Sequence, residues 1–127
     1  MKSDAFRAAA EAKDFSQIEE LFAEDAVFSS PVVYKPCHGR EAIKVLLGAV
    51  LQVFEDFRYL DQVESGETAV LIFEARVGER ELQGVDILRF GEHGRIAAMT
   101  VMVRPMSGMH ALAERMRELL AATTGAA

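Results

Sequence analysis

The chain has 127 residues, 50% hydrophobic and 27% charged, which suits a single domain, 1–127, with a core of its own. Its net charge of -6, with Lys and Arg nowhere clustered, argues against nucleic acid or an anionic membrane surface as partner. No apolar run approaches the roughly 20 residues of a membrane span, the amino terminus has no apolar signal core, and the lone Cys37 rules out an internal disulfide; a cytoplasmic protein is expected.

In chain order, residues 3–12 are Ala-rich around Phe6 and predict a helix. Asp14 stands as a cap, with Gln17 three residues on. Phe15, Ile18, Leu21 and Phe22 then recur at helical spacing, predicting a second helix. A short strand is expected at 26–29, where Phe28 precedes Ser30. Pro31 then bends the path, and 32–37 is read as extended. Ile43, Leu46, Leu47, Val50 and Phe54 make one strongly periodic face, so a helix should run from residue 40 or 41 to 54.

Four strands follow at 57–65, 68–77, 80–90 and 95–104. Their separators, Ser65-Gly66, Gly78-Glu79 and Gly91-Glu92-His93-Gly94, are short enough for an antiparallel meander. Leu71, Phe73, Ala75 and Val77 should share a face. The last strand is apolar on both sides, with Ala97, Met99, Val101 and Val103 on one and Ile96, Ala98 and Met102 on the other. After Arg104-Pro105 a final amphipathic helix is predicted over 107–122, with a frayed tail beyond Thr123. Helices followed by a curved sheet make an α+β domain.

One residue breaks the apolar pattern. Asp86 lies between Leu82, Leu88 and Phe90 on an otherwise hydrophobic strand face. An ionised carboxylate there is expensive, so the group is paired, protonated or functional. No other constellation of comparable weight is present. Cys37 and His38 are adjacent on an extended segment and point to opposite faces, and His38, His93 and His110 are too dispersed for a metal site, so no metal or cofactor is expected.

Three segments carry a family resemblance: LFAEDAVF at 21–28, HGREAI at 38–43 and VDILRFGEHGRIAAM at 85–99. Together they resemble the nuclear transport factor 2-like superfamily, in its polyketide-cyclase-like and ketosteroid-isomerase-like branch. The resemblance implies a cone-shaped sheet wrapped around amino-terminal helices, an apolar pocket, and a homodimer formed through the outer sheet face. The isomerases of this branch use an Asp base beside the first-hairpin proline, a Tyr on the first helix and a protonated Asp in the third long strand. Here those positions hold Ser30, Phe6 and Asp86. A phenylalanine donates no hydrogen bond and an unassisted serine hydroxyl is a poor base, so the standard isomerase mechanism is not expected.

The leading expectation is a protein that binds a small apolar molecule, with Asp86 as polar anchor and sole candidate catalytic group. Phe6, Phe22, Phe28, Ser30, Tyr34, His38, Leu47, Phe73, Met99, Val101 and Val103 are the further candidate lining residues. Two alternatives remain open at this point: an enzyme of the cyclase, isomerase, dehydratase or hydrolase kind with a rearranged site, and a dimeric interaction module with a vestigial pocket.

Overall fold

Period-two alternation decides the sheet. In β4 (Thr68–Val77) every second side chain from Ala69 to Val77 is buried, and in β5 (Arg80–Phe90) the buried set is Leu82, Gly84, Asp86, Leu88 and Phe90. The computed structural model, which describes residues 1–124, pairs β3 (Glu55–Ser65), β4, β5 and β6 (Ile96–Arg104) as an antiparallel meander. Parallel to β6 runs β1 (Phe22–Ser29), and the two-residue β2 (Cys37–His38) adds to its far edge, giving the order β2-β1-β6-β5-β4-β3. The mixed sheet wraps as a cone around α1 (Asp4–Glu11) and α3 (Arg40–Val53). Phe6 and Ala10 come from α1, and Ile43, Leu47 and Leu51 from α3; all are buried against the inner sheet face.

Several expectations need correction. The second helix is one turn only, α2 (Ile18–Leu21), and Phe22 already opens β1, four residues before the expected strand start. Asp14 does accept a local bond, from the Ser16 backbone N–H at 2.9 Å, which makes a turn that competes with helix instead of starting one. Residues 32–36 form bends, not an extended run. Ile96 lies inside, 1% exposed, although alternation from Met99 places it outside. The reason is a bulge: Phe90 pairs with Ile96 while Arg89 pairs with Ala98, so Ala97 is an extra residue and the alternation restarts. A second bulge, at Leu60, separates the pairs Tyr59–Phe73 and Asp61–Ile72. The outer face keeps Val63 and Met102 more than half exposed, and this is the face the resemblance assigns to a dimer partner.

The amino terminus is tied down by β3. Glu64 accepts from the backbone N–H groups of Lys2 and Ser3 and from the Ser3 hydroxyl, and Gln62 Nε2 donates to Ser3 Oγ. Removing those acceptors should loosen α1. Glu64→Ala is expected to lose about 1–3 kcal/mol, because the buried Ser3 donors would be left unmet. Chemical denaturation checks it, and a loss within experimental error would show that the tether holds nothing.

The last helix, α4 (Met106–Thr124), runs through the final described residue, so the frayed tail expected beyond Thr123 otherwise lies outside the described residues. Near its start Gly108 sits against β5. A Cβ there would stand 2.9 Å from Leu82 Cβ and 3.1 Å from the Glu81 carbonyl oxygen, so glycine is what allows the approach. Leu112, 2% exposed, seals this end.

Candidate functional site

Between the inner sheet face, α1, α3 and α4 lies a cavity of about 810 Å³. That is within the range of ligand sites and far larger than a packing defect. Its lining is almost wholly apolar, from Phe6 and Leu47 on the helices to Phe73, Met99 and Val101 on the strands.

Asp86 is the exception. Its position in β5 aims it inward, between Leu71 on one neighbouring strand and Val101 on the other. The side chain is 5% exposed and belongs to the cavity wall. Tyr59 Oη donates to Asp86 Oδ2 at 2.7 Å. No buried side-chain nitrogen or oxygen among the described residues lacks a partner, and Tyr59 is the only side chain that bonds this carboxyl. Oδ1 therefore keeps open surface, and the open side is the cavity.

Burial pushes the Asp86 carboxyl up from 3.8 to about 7, against the opposing pull of the Tyr59 hydrogen bond. Burial, with the Asp86 charge second, also holds the Tyr59 hydroxyl well above its usual value, so it stays a donor. Below neutral pH, a largely protonated Asp86 with Oδ2 already serving as acceptor presents an O–H from Oδ1 to the cavity.

An aromatic shelf fixes Tyr59. Phe57 meets its ring edge-on at 4.9 Å between centroids, Phe73 stands nearly perpendicular at 6.3 Å, and the Arg7 guanidinium lies 5.6 Å from the ring centre. Phe73 in turn lies over Gly84, where a Cβ would fall 2.2 Å from its Cζ.

Of the residues singled out in the sequence, Phe6, Phe28, Ser30, Leu47, Phe73, Asp86, Met99 and Val101 line this one cavity. Phe22 is fully buried behind it, against Phe6, and Val103 is half-buried outside the lining. Tyr34 is fully exposed and His38 is exposed on β2; neither reaches the cavity. Ser30 Oγ accepts from the backbone N–H groups of Val32 and Val33, so its lone pairs hold the turn. Tyr59 was missed as a partner. The signal was an aromatic pair, Phe57 and Tyr59, at strand spacing, but only the register brings Tyr59 opposite Phe73 and within reach of Asp86. Among the described residues no group of three or more His, Cys, Asp or Glu side chains is placed to hold a metal ion, and no helix is long and apolar enough to cross a membrane.

Residues 4–99 match the model of the SnoaL-like domain. The chain belongs to that family. Its place is the cyclase and isomerase branch of the nuclear transport factor 2-like superfamily, and it is a small-molecule-binding cone fold of that group. A solved steroid delta-isomerase from Pseudomonas aeruginosa is 45% identical over 98% of this chain and 93% of its own, with a TM-score of 0.93. An uncharacterised bacterial protein of cystatin-like fold from Silicibacter pomeroyi is 36% identical, covering 88% of this chain and 79% of its own, with a TM-score of 0.84. A nuclear transport factor 2-like protein of unknown function from Mesorhizobium loti, at 21% identity, 82% and 88% coverage and a TM-score of 0.73, shares the fold. A search of curated proteins gives no match.

Proposed function

We propose that this SnoaL-like protein binds a compact, mostly apolar molecule whose one buried oxygen, of carbonyl type, accepts a hydrogen bond from Asp86. The observation that carries this reading is the Tyr59–Asp86 pair: a buried carboxyl with one oxygen engaged and the other turned to an apolar cavity of ligand size. A core packed only for stability would fill that volume and replace the acid.

The test is calorimetric titration with a polycyclic ketone and with its parent hydrocarbon at pH 6. Asp86→Leu is expected to weaken the ketone about tenfold, the worth of a buried hydrogen bond, and to leave the hydrocarbon unchanged. Asp86→Asn, which keeps an N–H donor, should retain the ketone. Equal loss of both compounds in Asp86→Leu, or no binding of either by the unaltered protein, would sink the proposal.

A second reading, enzymatic, is favoured by the 45% identity to a protein described as a steroid delta-isomerase. In it Asp86 donates to the substrate carbonyl as the enol forms, and the double bond shifts when a proton leaves one carbon and returns to another. With Ser30 committed to its turn, the side chains lining the cavity that could accept a proton, other than Asp86 itself, include His110 and Glu114 on α4, both exposed and the latter already accepting from Arg117. An absorbance assay that follows conjugation of an unsaturated steroid ketone distinguishes turnover from binding.

A further inference from the structure

The link between β1 and β2, residues 30–36, is closed at its base. Phe28 pairs with Cys37 and Val27 with His38, and the Gly39 N–H donates to the Ala26 carbonyl at 2.8 Å. Inside the link the backbone has little else to hold it. Pro31 and Pro36 bring no N–H, and among the described residues 31–36 form no backbone–backbone hydrogen bond outside the strand ladders. The N–H groups of Val32 and Val33 instead donate to Ser30 Oγ, at 3.2 and 3.1 Å. That hydroxyl is the fastening of the link.

What it fastens faces the cavity. Every residue from Ser30 to Cys37 except Tyr34 lines it, and Tyr34 is wholly exposed. Val32 and Val33 are 42% and 56% exposed. Among the described residues they are the only exposed large hydrophobic side chains that also line the cavity. Phe6, Phe73 and Met99 line it too, but these are already almost fully buried. Each valine therefore has more apolar surface left to lose to a ligand than those interior residues have. A cavity of about 810 Å³ lies toward the upper end of the roughly 300–1,000 Å³ of ligand sites, large enough for a scaffold that touches both Asp86 and the link.

We propose that Val32 and Val33 form an apolar subsite that the bound ligand covers, and that Ser30 is its positioning residue, holding both valines through their backbone N–H groups. The inference rests on the binding reading above and extends the ligand from Asp86 to the β1–β2 link. A link held before the ligand arrives spares the cost of ordering it on binding. Asp86 selects for a carbonyl, whereas the valines add affinity whatever the functional group.

The test is calorimetric titration of the full chain with a four-ring saturated ketone and its parent hydrocarbon at pH 6. Val32→Ser combined with Val33→Ser should weaken both compounds at least about fivefold, as apolar contact is lost. Both valines are exposed, so the doubly substituted chain should unfold at the same temperature as the unaltered one. Ser30→Ala should weaken both compounds about threefold or more and speed amide exchange at Val32 and Val33. Ser30→Thr keeps the acceptor and should bind as the unaltered chain does. Loss of the ketone alone in Ser30→Ala would make the serine a direct ligand contact and overturn its positioning role. Unchanged affinities in the doubly substituted chain would overturn the subsite, and a smaller particle by light scattering would then assign the valines to a second copy of the chain. In either event, ketone-selective loss in Asp86→Leu would leave the Asp86 reading standing. Failure of both compounds to bind the unaltered chain would remove that reading and the subsite together.

Discussion

Asp86→Asn should make the protein more stable at pH 8 than the unaltered chain, with the advantage vanishing toward pH 4. The sign follows from the raised carboxyl. An unfolded aspartate releases its proton near 3.8, whereas in the fold burial holds it to about 7. Between those values the folded state binds more protons than the unfolded one, so this group's contribution to stability falls as pH rises. It is fully present below the unfolded value, is lost through the window from about 4 to 7, and is flat above. At about 1.4 kcal/mol per pH unit, the stability difference between variant and unaltered protein should change by about 4 kcal/mol across the window. Surface carboxylates such as Asp4 and Asp14 are shifted the opposite way, but they are common to both proteins and cancel in the difference. The asparagine still accepts from Tyr59 and needs no desolvated charge. Denaturant titrations at four pH values provide the measurement, and parallel stability curves for the two proteins would show that Asp86 is not buried as an acid.

Gly84→Ala is the second change with a large expected effect. The added methyl would lie 2.2 Å from Phe73 Cζ and 2.9 Å from its Cε1, well inside contact distance. The ring cannot stay, and its other sides are taken by Phe54, Phe57 and Tyr59. Space exists in one direction, into the cavity that Phe73 lines. The variant should therefore fold with a loss of about 1–3 kcal/mol, typical of an overpacked core. It should also bind the polycyclic ketone much more weakly, because the displaced ring occupies ligand volume. Phe73→Leu introduced alongside should recover part of both losses. Binding unchanged in Gly84→Ala would mean that the ring moves elsewhere and that Phe73 does not border the ligand.

The sheet was legible because its strands obey period two and its turns carry glycine: the expected segments 68–77 and 80–90 coincide with β4 and β5. The α3 helix was legible from its apolar face to within a residue. Asp86 stood out because a lone acid in an apolar face violates the pattern around it. What escaped detection depends on contacts that only the folded chain makes. Phe15 to Phe22 have helical spacing, yet pairing with β6 draws Phe22 into a strand, a tertiary preference that no local window contains. Tyr59 meets Asp86 across the neighbouring strand, 27 residues away, through a register that periodicity does not set. Tyr34 and His38 were attractive because polar groups near a bend are good ligand contacts, but residues 32–36 turn so that Tyr34 points to solvent.

The bulge at Leu60 bears on how such a chain is able to change over time. Upstream of it Tyr59 faces the carboxyl in the cavity; downstream, Gln62 and Glu64 face the amino-terminal residues they hold. Both sets point inward only because one residue between them is left out of the pairing. Remove it, and two-residue alternation would turn one set to the outside, either abandoning the acid or releasing α1. Leu60 itself is half exposed and open to exchange for many side chains. Its identity is thus nearly free while its presence is not, and between Tyr59 and Gln62 this chain tolerates drift in composition but not in length.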